Sequence, residues 1–413
     1  MDKKLIFLTM SREAASINSS GIYPDLLRKF RSEGWKVYIV MPHERSLGKP
    51  TELREENGVH ILGVKTLNLQ KTSTIEKGVG QVLVSSRFKS AIKKYWGDIH
   101  FDLILYATPP ITLQGVVQWL KKKNTKAVSY LMLKDIFPQN AVDIGMMTMS
   151  GVKGLLYRHF RKQEKDLYKV SDFIGCMSPA NVEYVLKNNS EIPIEKVEVA
   201  PNSVELKERI LEDGQEKAER YYIRKKYDLP VDKPIFIYGG NLGKPQGIPY
   251  LIECLEANKG RQDCYFVIVG TGTEYDKLDS WFRIQDSSSC VRVMKGLPKE
   301  DYDMLVRSCD VGMIFLDHRF TIPNYPSRLL SYLENKMPVI CATDPNTDMG
   351  RIAEENGYGY WCESVKPEDF TALVDKMLAA DRKAMGERGY KFLCENYTVE
   401  NTYNAIMEHF HNI

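Results

Sequence analysis

Short apolar runs alternate with stretches of helical periodicity along the whole chain. Strand-like runs fall at 4–10, 36–41, 60–64, 102–106, 128–133, 172–177 and 196–200. The pattern restarts at 234–238, 265–269, 291–294, 311–316, 337–342 and 357–361. Between them, residues 21–33 place Ile22, Tyr23, Leu26, Leu27 and Phe30 on one face of a helix. Strand and helix alternating over some 200 residues predict a doubly wound parallel sheet with right-handed crossovers. Residues 204–233 break the rhythm: they are charged and helical, end at Leu229-Pro230, and read as an interdomain connection. The restart beyond them predicts a second domain of the same kind. The expected division is therefore 1–203 and 204–396, with helices at 381–395 and 399–410 and the segment 397–413 packing back on the first domain. Tandem sheets of this kind bind ligands at the carboxyl ends of their strands, in a cleft between the two.

Composition supports two ordinary globular cores, with 43% hydrophobic and 27% charged residues in 413. The apolar run at the start is short and leads into Ser11-Arg12-Glu13, so a first buried strand is expected there and not a secretion signal. No window reaches the eighteen apolar residues of a membrane span. The eight cysteines lack a CxxC or Cys/His metal spacing, and several sit inside apolar strands, which predicts reduced core thiols and a cytoplasmic protein. The net charge of +3 conceals an asymmetry. Residues 1–200 hold 30 Lys and Arg against 20 Asp and Glu, and the remainder 27 against 34. A basic half is drawn to an anionic surface or ligand. Its cations cluster at 87–94, 121–126 and 158–165, interleaved with Phe88, Trp96, Trp119, Leu155, Leu156 and Phe160. That interleaving suits peripheral contact with anionic lipid. No recognised single-strand module points to nucleic acid.

The candidate chemistry sits in three turns, each just past a strand. The first is Gly239-Gly240-Asn241-Leu242-Gly243-Lys244, the second Gly270-Thr271-Gly272, the third Pro323-Asn324-Tyr325-Pro326-Ser327-Arg328. Glycines let backbone N–H groups approach an anion, Lys244 adds a point charge, and Arg328 can fork two phosphate oxygens. Pro326 and Ser327 stand at a helix start over 327–334, where free N–H groups favour anions. In the first half, Asn18, Ser19, Ser20 and Gly21 precede a helix and offer donors to a phosphate or a sugar hydroxyl. Asp135 follows the fifth strand and can take a proton or steady a developing cation. A plain helix cap accounts for either of these two features equally well.

In this order the motifs resemble those of GT-B glycosyltransferases of family 4, the group 1 transferases, over essentially the whole chain. The similarity is nearest to the L-fucosamine-transferase-like subgroup of O-antigen and capsule assembly. It rests on Leu131-Met132-Leu133-Lys134-Asp135-Ile136-Phe137-Pro138, on Tyr238 through Gly247, on Val269 through Thr273, and on Ile322 through Val339. The resemblance implies an α/β protein of two Rossmann-like domains, with a nucleotide-diphosphate sugar, UDP-linked by preference, held by the second. It implies a lipid-linked or polysaccharide acceptor held by the first, retention of anomeric configuration, no metal and no cofactor. Asp135, Lys244 and Arg328 are the expected catalytic groups. Gly240, Asn241, Gly243, Gly270, Gly272, Pro326, Ser327, Ser331 and Glu334 are the expected donor contacts. Localisation is expected at the inner face of the plasma membrane.

The chain departs from the family at two glutamates eight positions apart, which align with Pro323 and Ser331. The usual Arg and Lys of the glycine loop align with Asn241 and Gln246. Ser331 and Glu334 are left to meet the ribose. Two other classes stay open: a sugar-nucleotide 2-epimerase, which the seven histidines, mostly outside the loops, argue against, and a non-catalytic nucleotide-binding scaffold.

Overall fold

The computed structural model describes residues 3–69, 74–206, 214–285 and 289–410. Two compact units divide it. One comprises Met1–Glu205 with Thr398–Ile413, the other Leu206–Tyr397.

The first unit is built on eight strands: β1 Lys4–Leu8, β2 Lys36–Glu44, β3 Glu52–Glu56, β4 Val59–Thr66, β5 Leu103–Ala107, β6 Val128–Leu133, β7 Phe173–Cys176 and β8 Val197–Val199. Their order is β3-β4-β2-β1-β5-β6-β7-β8. All neighbours are parallel except β3 with β4. Strands such as Leu5–Leu8 and Leu103–Ala107 are buried throughout because helices cover both faces. The helix Ile22–Ser32 lays Tyr23, Leu26, Leu27 and Phe30 against one face, as its period predicts. The helix Val399–Glu408 joins it there: Tyr403 meets Phe30 edge to face at 4.9 Å, and Val399 donates to the Val204 carbonyl.

β3 was not foreseen. Its sequence, Glu-Leu-Arg-Glu-Glu, is charged at every position but Leu53 because it is an exposed edge strand. The signal that reveals it is Asn57-Gly58, both with positive φ, the turn of a two-residue hairpin into β4.

The second unit has β9 Ile235–Asn241, β10 Tyr265–Thr271, β11 Val291–Met294, β12 Val311–Phe315, β13 Val339–Thr343 and β14 Gly359–Glu363. Every pairing is parallel, in the order β11-β10-β9-β12-β13-β14. Strand order therefore reverses between β9 and β12 here, and between β1 and β5 in the first unit. At such switch points the loops leave in opposite directions and open a crevice beyond the strand ends.

The charged stretch expected as a connection is in part core. Residues 207–213 lie outside the described residues, but Gln215–Lys226 is a helix packed on Lys299–Ser308 in the second unit. Arg224 on it is fully buried. It donates to the Ser308, Pro230 and Lys233 carbonyls and to Asp310 at 2.5–3.0 Å. Its charge misled the sequence reading, since a guanidinium is buried when enough acceptors surround it. Replacing Arg224 by Ala is expected to cost on the order of 3 kcal/mol, because Asp310 and four carbonyl contacts lose their donor. Urea denaturation reads this directly, and an unchanged midpoint would contradict it.

Candidate active site

β9 runs further than its sequence suggests. Gly239, Gly240 and Asn241 are strand residues paired with Val269, Gly270 and Thr271. The glycines are small largely because other atoms occupy the space. A Cβ on Gly239 would lie 1.9 Å from the Tyr302 hydroxyl, and one on Gly270 would lie 1.9 Å from the Gly240 carbonyl oxygen. Gly272 likewise abuts the Leu242 backbone. Gly240 differs: its φ of 118° favours glycine, and its open side faces the Arg328 guanidinium, with Nη2 3.7 Å from where a Cβ would stand.

Arg328 opens the helix Arg328–Glu334, reached from β12 across the switch point. Its guanidinium lies over the Tyr238 ring at 4.1 Å. The Nη1 atom is buried with no hydrogen-bond partner, and among the described residues no carboxylate pairs with this side chain. Lys244, three residues past the end of β9, is exposed and also has no ion pair among the described residues. Sequence reasoning placed Lys244 on the glycine turn and Arg328 at the start of a helix over 327–334. The structure has Lys244 at the end of that turn and Arg328 as the first residue of its helix.

Other expected contacts are partly engaged. Gly243 N–H and Asn241 Nδ2 both donate to Gln246 Oε1 at 3.0 Å, closing a short capped turn. That turn spends on the chain itself an N–H expected to meet an anion. Ser327 is exposed and makes no capping bond, Pro326 is half-buried beside it, and Ser331 and Glu334 follow on the same short helix. Asp317, which sequence reasoning passed over, ends the run after β12 and accepts from Arg319 three times at 2.7–3.0 Å. With Gly247, Tyr250 and Ser364 it borders a cavity of about 450 Å³ at the start of the helix Ile248–Asn258.

In the first unit the expected donor loop is consumed internally. Asn18 donates to Glu56 and accepts from Asn57, and Ser19 donates to the Glu13 and Ser16 carbonyls. Gly21 N–H donates to the Asp25 carboxylate, which also receives Arg28 at 2.5 Å. A buried carboxylate already occupies this helix start, so a second anion there would meet repulsion. Asn18, Ser19 and Gly21 thus have structural partners within the chain, as a plain helix start would give them.

Asp135 lies just past β6, one strand from the switch point. Thr108 Oγ1, after β5, accepts from the N–H groups of both Lys134 and Asp135 at 3.0 and 3.3 Å and so ties the two strand ends together. Burial pushes the Asp135 carboxyl up to about 6, although Asn140 Nδ2 at 2.7 Å and the Ile136 N–H oppose the shift. Lys134, beside it, was not singled out from sequence. Its Nζ donates to the Ala200 carbonyl at 3.1 Å, and burial brings it down to about 7. A lone cation ending an apolar strand was the available signal. Among the described residues no three His, Cys, Asp or Glu side chains converge as a metal site. The described cysteines carry no disulfide.

Because Asp135 is raised above its ordinary 3.8, its contribution is complete below that value and is lost as pH rises through about 6. Asp135→Asn is thus expected to gain stability over the parent between pH 4 and 6, with a constant difference above. A pH series of urea melts checks this, and a pH-independent difference would refute it.

Residues 219–392 match the family model for glycosyl transferases group 1. The chain is 21% identical over 399 residues to the probable glycosyltransferase WbjE of Pseudomonas aeruginosa, covering 95% of this chain and 94% of that one. It is 26% identical over 155 residues to WcaI of Escherichia coli, a putative colanic acid biosynthesis glycosyl transferase, covering 37% and 36% of the two chains. Among solved structures, Anabaena HepE in complex with UDP superposes with a TM-score of 0.68, at 12% identity, over 99% of this chain and all of that one. The two parallel-sheet units thus have the α/β fold of GT-B glycosyltransferases. The second carries the group 1 glycosyltransferase domain, and the chain is a glycosyltransferase.

Proposed function

We propose that this transferase moves a sugar from a UDP-sugar to a lipid-linked or polysaccharide acceptor in bacterial surface-polysaccharide synthesis, with retention at the anomeric carbon. The observation that carries the reading is Arg328: a guanidinium with a buried, unpartnered nitrogen beside Gly240 at a switch point. A diphosphate supplies the acceptors it lacks. WcaI and UDP-bound HepE support the pathway and the nucleotide, respectively.

In the reaction the bond between the anomeric carbon and the β-phosphate oxygen breaks, and an acceptor oxygen forms the new bond on the same face. Charge grows on the departing diphosphate. Arg328 and Lys244 stabilise it, in the role a metal ion takes elsewhere, so neither metal nor cofactor is required. Asp135, ionised above pH about 6, receives the acceptor's hydroxyl proton. Ser331, aligned with the family glutamate that meets the ribose, and Glu334, one turn on, bond the ribose hydroxyls in this reading.

Arg328→Ala is expected to weaken UDP binding about tenfold or more, since a charge-assisted pair is lost. The ligand-free thermal midpoint should not fall, because the cation has no counter-charge to lose. Lys244→Ala should weaken binding less, its charge being solvated. Calorimetry with UDP and a thermal melt separate the outcomes; undiminished UDP affinity in Arg328→Ala would end this assignment. Transfer should persist in EDTA and decline below pH about 6, and Asp135→Asn should remove that acid limb.

A further inference from the structure

Three helices of the first unit carry cations interleaved with apolar residues, and one of them exposes a cluster of large apolar side chains at its start. In the helix Thr74–Trp96 the aromatic partners Phe88 and Trp96 are core residues, 0% and 3% exposed. In Gln114–Lys123, Val116, Val117 and Leu120 are buried, and Lys121 is paired with Asp172. Those two are ordinary amphipathic helices whose cations ride on the solvent side.

The third, Gly151–Val170, is different at its amino-terminal end. Met146, Met149, Leu155 and Leu156 are 64, 54, 59 and 50% exposed, four large apolar side chains within eleven residues. The chain between them is tightly turned, since a Cβ on Gly154 would lie 2.4 Å from the Met149 carbonyl oxygen. Around them the chain contains no acid: from Ile144 to Gln163 there is no Asp or Glu, while Lys153, Arg158, Arg161 and Lys162 contribute positive charge. Arg161 is tied to Glu164 and Asn189, but Arg158 and Lys162 are exposed on the following turns.

We infer that residues 146–162 form a membrane-docking surface. Met146, Met149, Leu155 and Leu156 enter the interfacial layer of an anionic bilayer, and Arg158 and Lys162 rest on its phosphates. Solvent-exposed thioethers and leucines cost hydration in water and are relieved in the acyl boundary, while the exposed Arg158 and Lys162 favour negative headgroups. Neither signal alone holds a protein at a membrane firmly. The contact gives purpose to the lipid-linked acceptor proposed above, but the binding itself does not depend on that reading.

Co-sedimentation of the full chain with phosphatidylcholine vesicles, with and without phosphatidylglycerol, tests it in the absence of any sugar nucleotide. The parent should sediment with the anionic vesicles only. Arg158→Gln with Lys162→Gln should lower partitioning about fivefold per cation removed. Replacing Met146, Met149, Leu155 and Leu156 together by Ser should abolish it without lowering the thermal midpoint, whereas Lys122→Gln should change nothing. Transfer to a water-soluble acceptor should survive the serine changes, so a failed transferase reading would show itself separately. The surface is overturned if the parent ignores anionic vesicles or the serine variant binds as well as the parent. It is equally overturned if the serine variant alters only self-association in size-exclusion chromatography, which would mark a contact between copies of the chain.

Discussion

A positive charge without a counter-charge is the feature on which the proposed donor site depends. Placing a guanidinium among tyrosines costs desolvation, and attraction to an aromatic face returns only about 1–2 kcal/mol. Arg328 nevertheless stands over Tyr238 with a buried nitrogen unpartnered. Arg224 shows what the same side chain looks like when the fold satisfies it: fully buried, and surrounded by carbonyls and Asp310. One arginine is satisfied by the protein alone, and the other keeps a buried nitrogen that the proposed diphosphate would engage. That contrast sets a structural cation apart from the one proposed to bind a ligand more sharply than burial or motif does.

The same accounting distinguishes the two units. Around Asn18–Gly21 every printed donor finds an acceptor within the chain, and Asp25 already supplies the negative charge a helix start attracts. At the end of β6, by contrast, two ionisable groups are held out of water with weak compensation. Asp135 is raised and Lys134 lowered, both chiefly by burial. Groups shifted toward neutrality at a strand end suit the proton transfer proposed for Asp135.

Charge clusters carry different meanings according to what lies beneath them. The lysines of Gln114–Lys123 and Thr74–Trp96 cover a core, so their apolar neighbours are spoken for. At the start of Gly151–Val170 the apolar neighbours face outward, and positive charge beside exposed hydrophobic surface is the physical description of an interfacial patch.

Much of the architecture was legible in the sequence by itself. Thirteen of the strands, the restart at 234 and the loops at strand ends follow from apolar periodicity, because burial along an element is written residue by residue. The hairpin strand at 52–56 was legible too, through Asn57-Gly58, but its charged composition masked it. The tertiary structure alone decided which polar groups are satisfied. That Gln246 occupies Gly243 and that Asp25 takes the Gly21 N–H are local bonds seen only in the folded turn. That Arg224 is interior against Ser308 and Asp310, and that Arg328 stands over Tyr238 with a nitrogen unpartnered, are relations between separate elements. A local pattern records whether a side chain prefers water. It does not record which distant atom will take water's place.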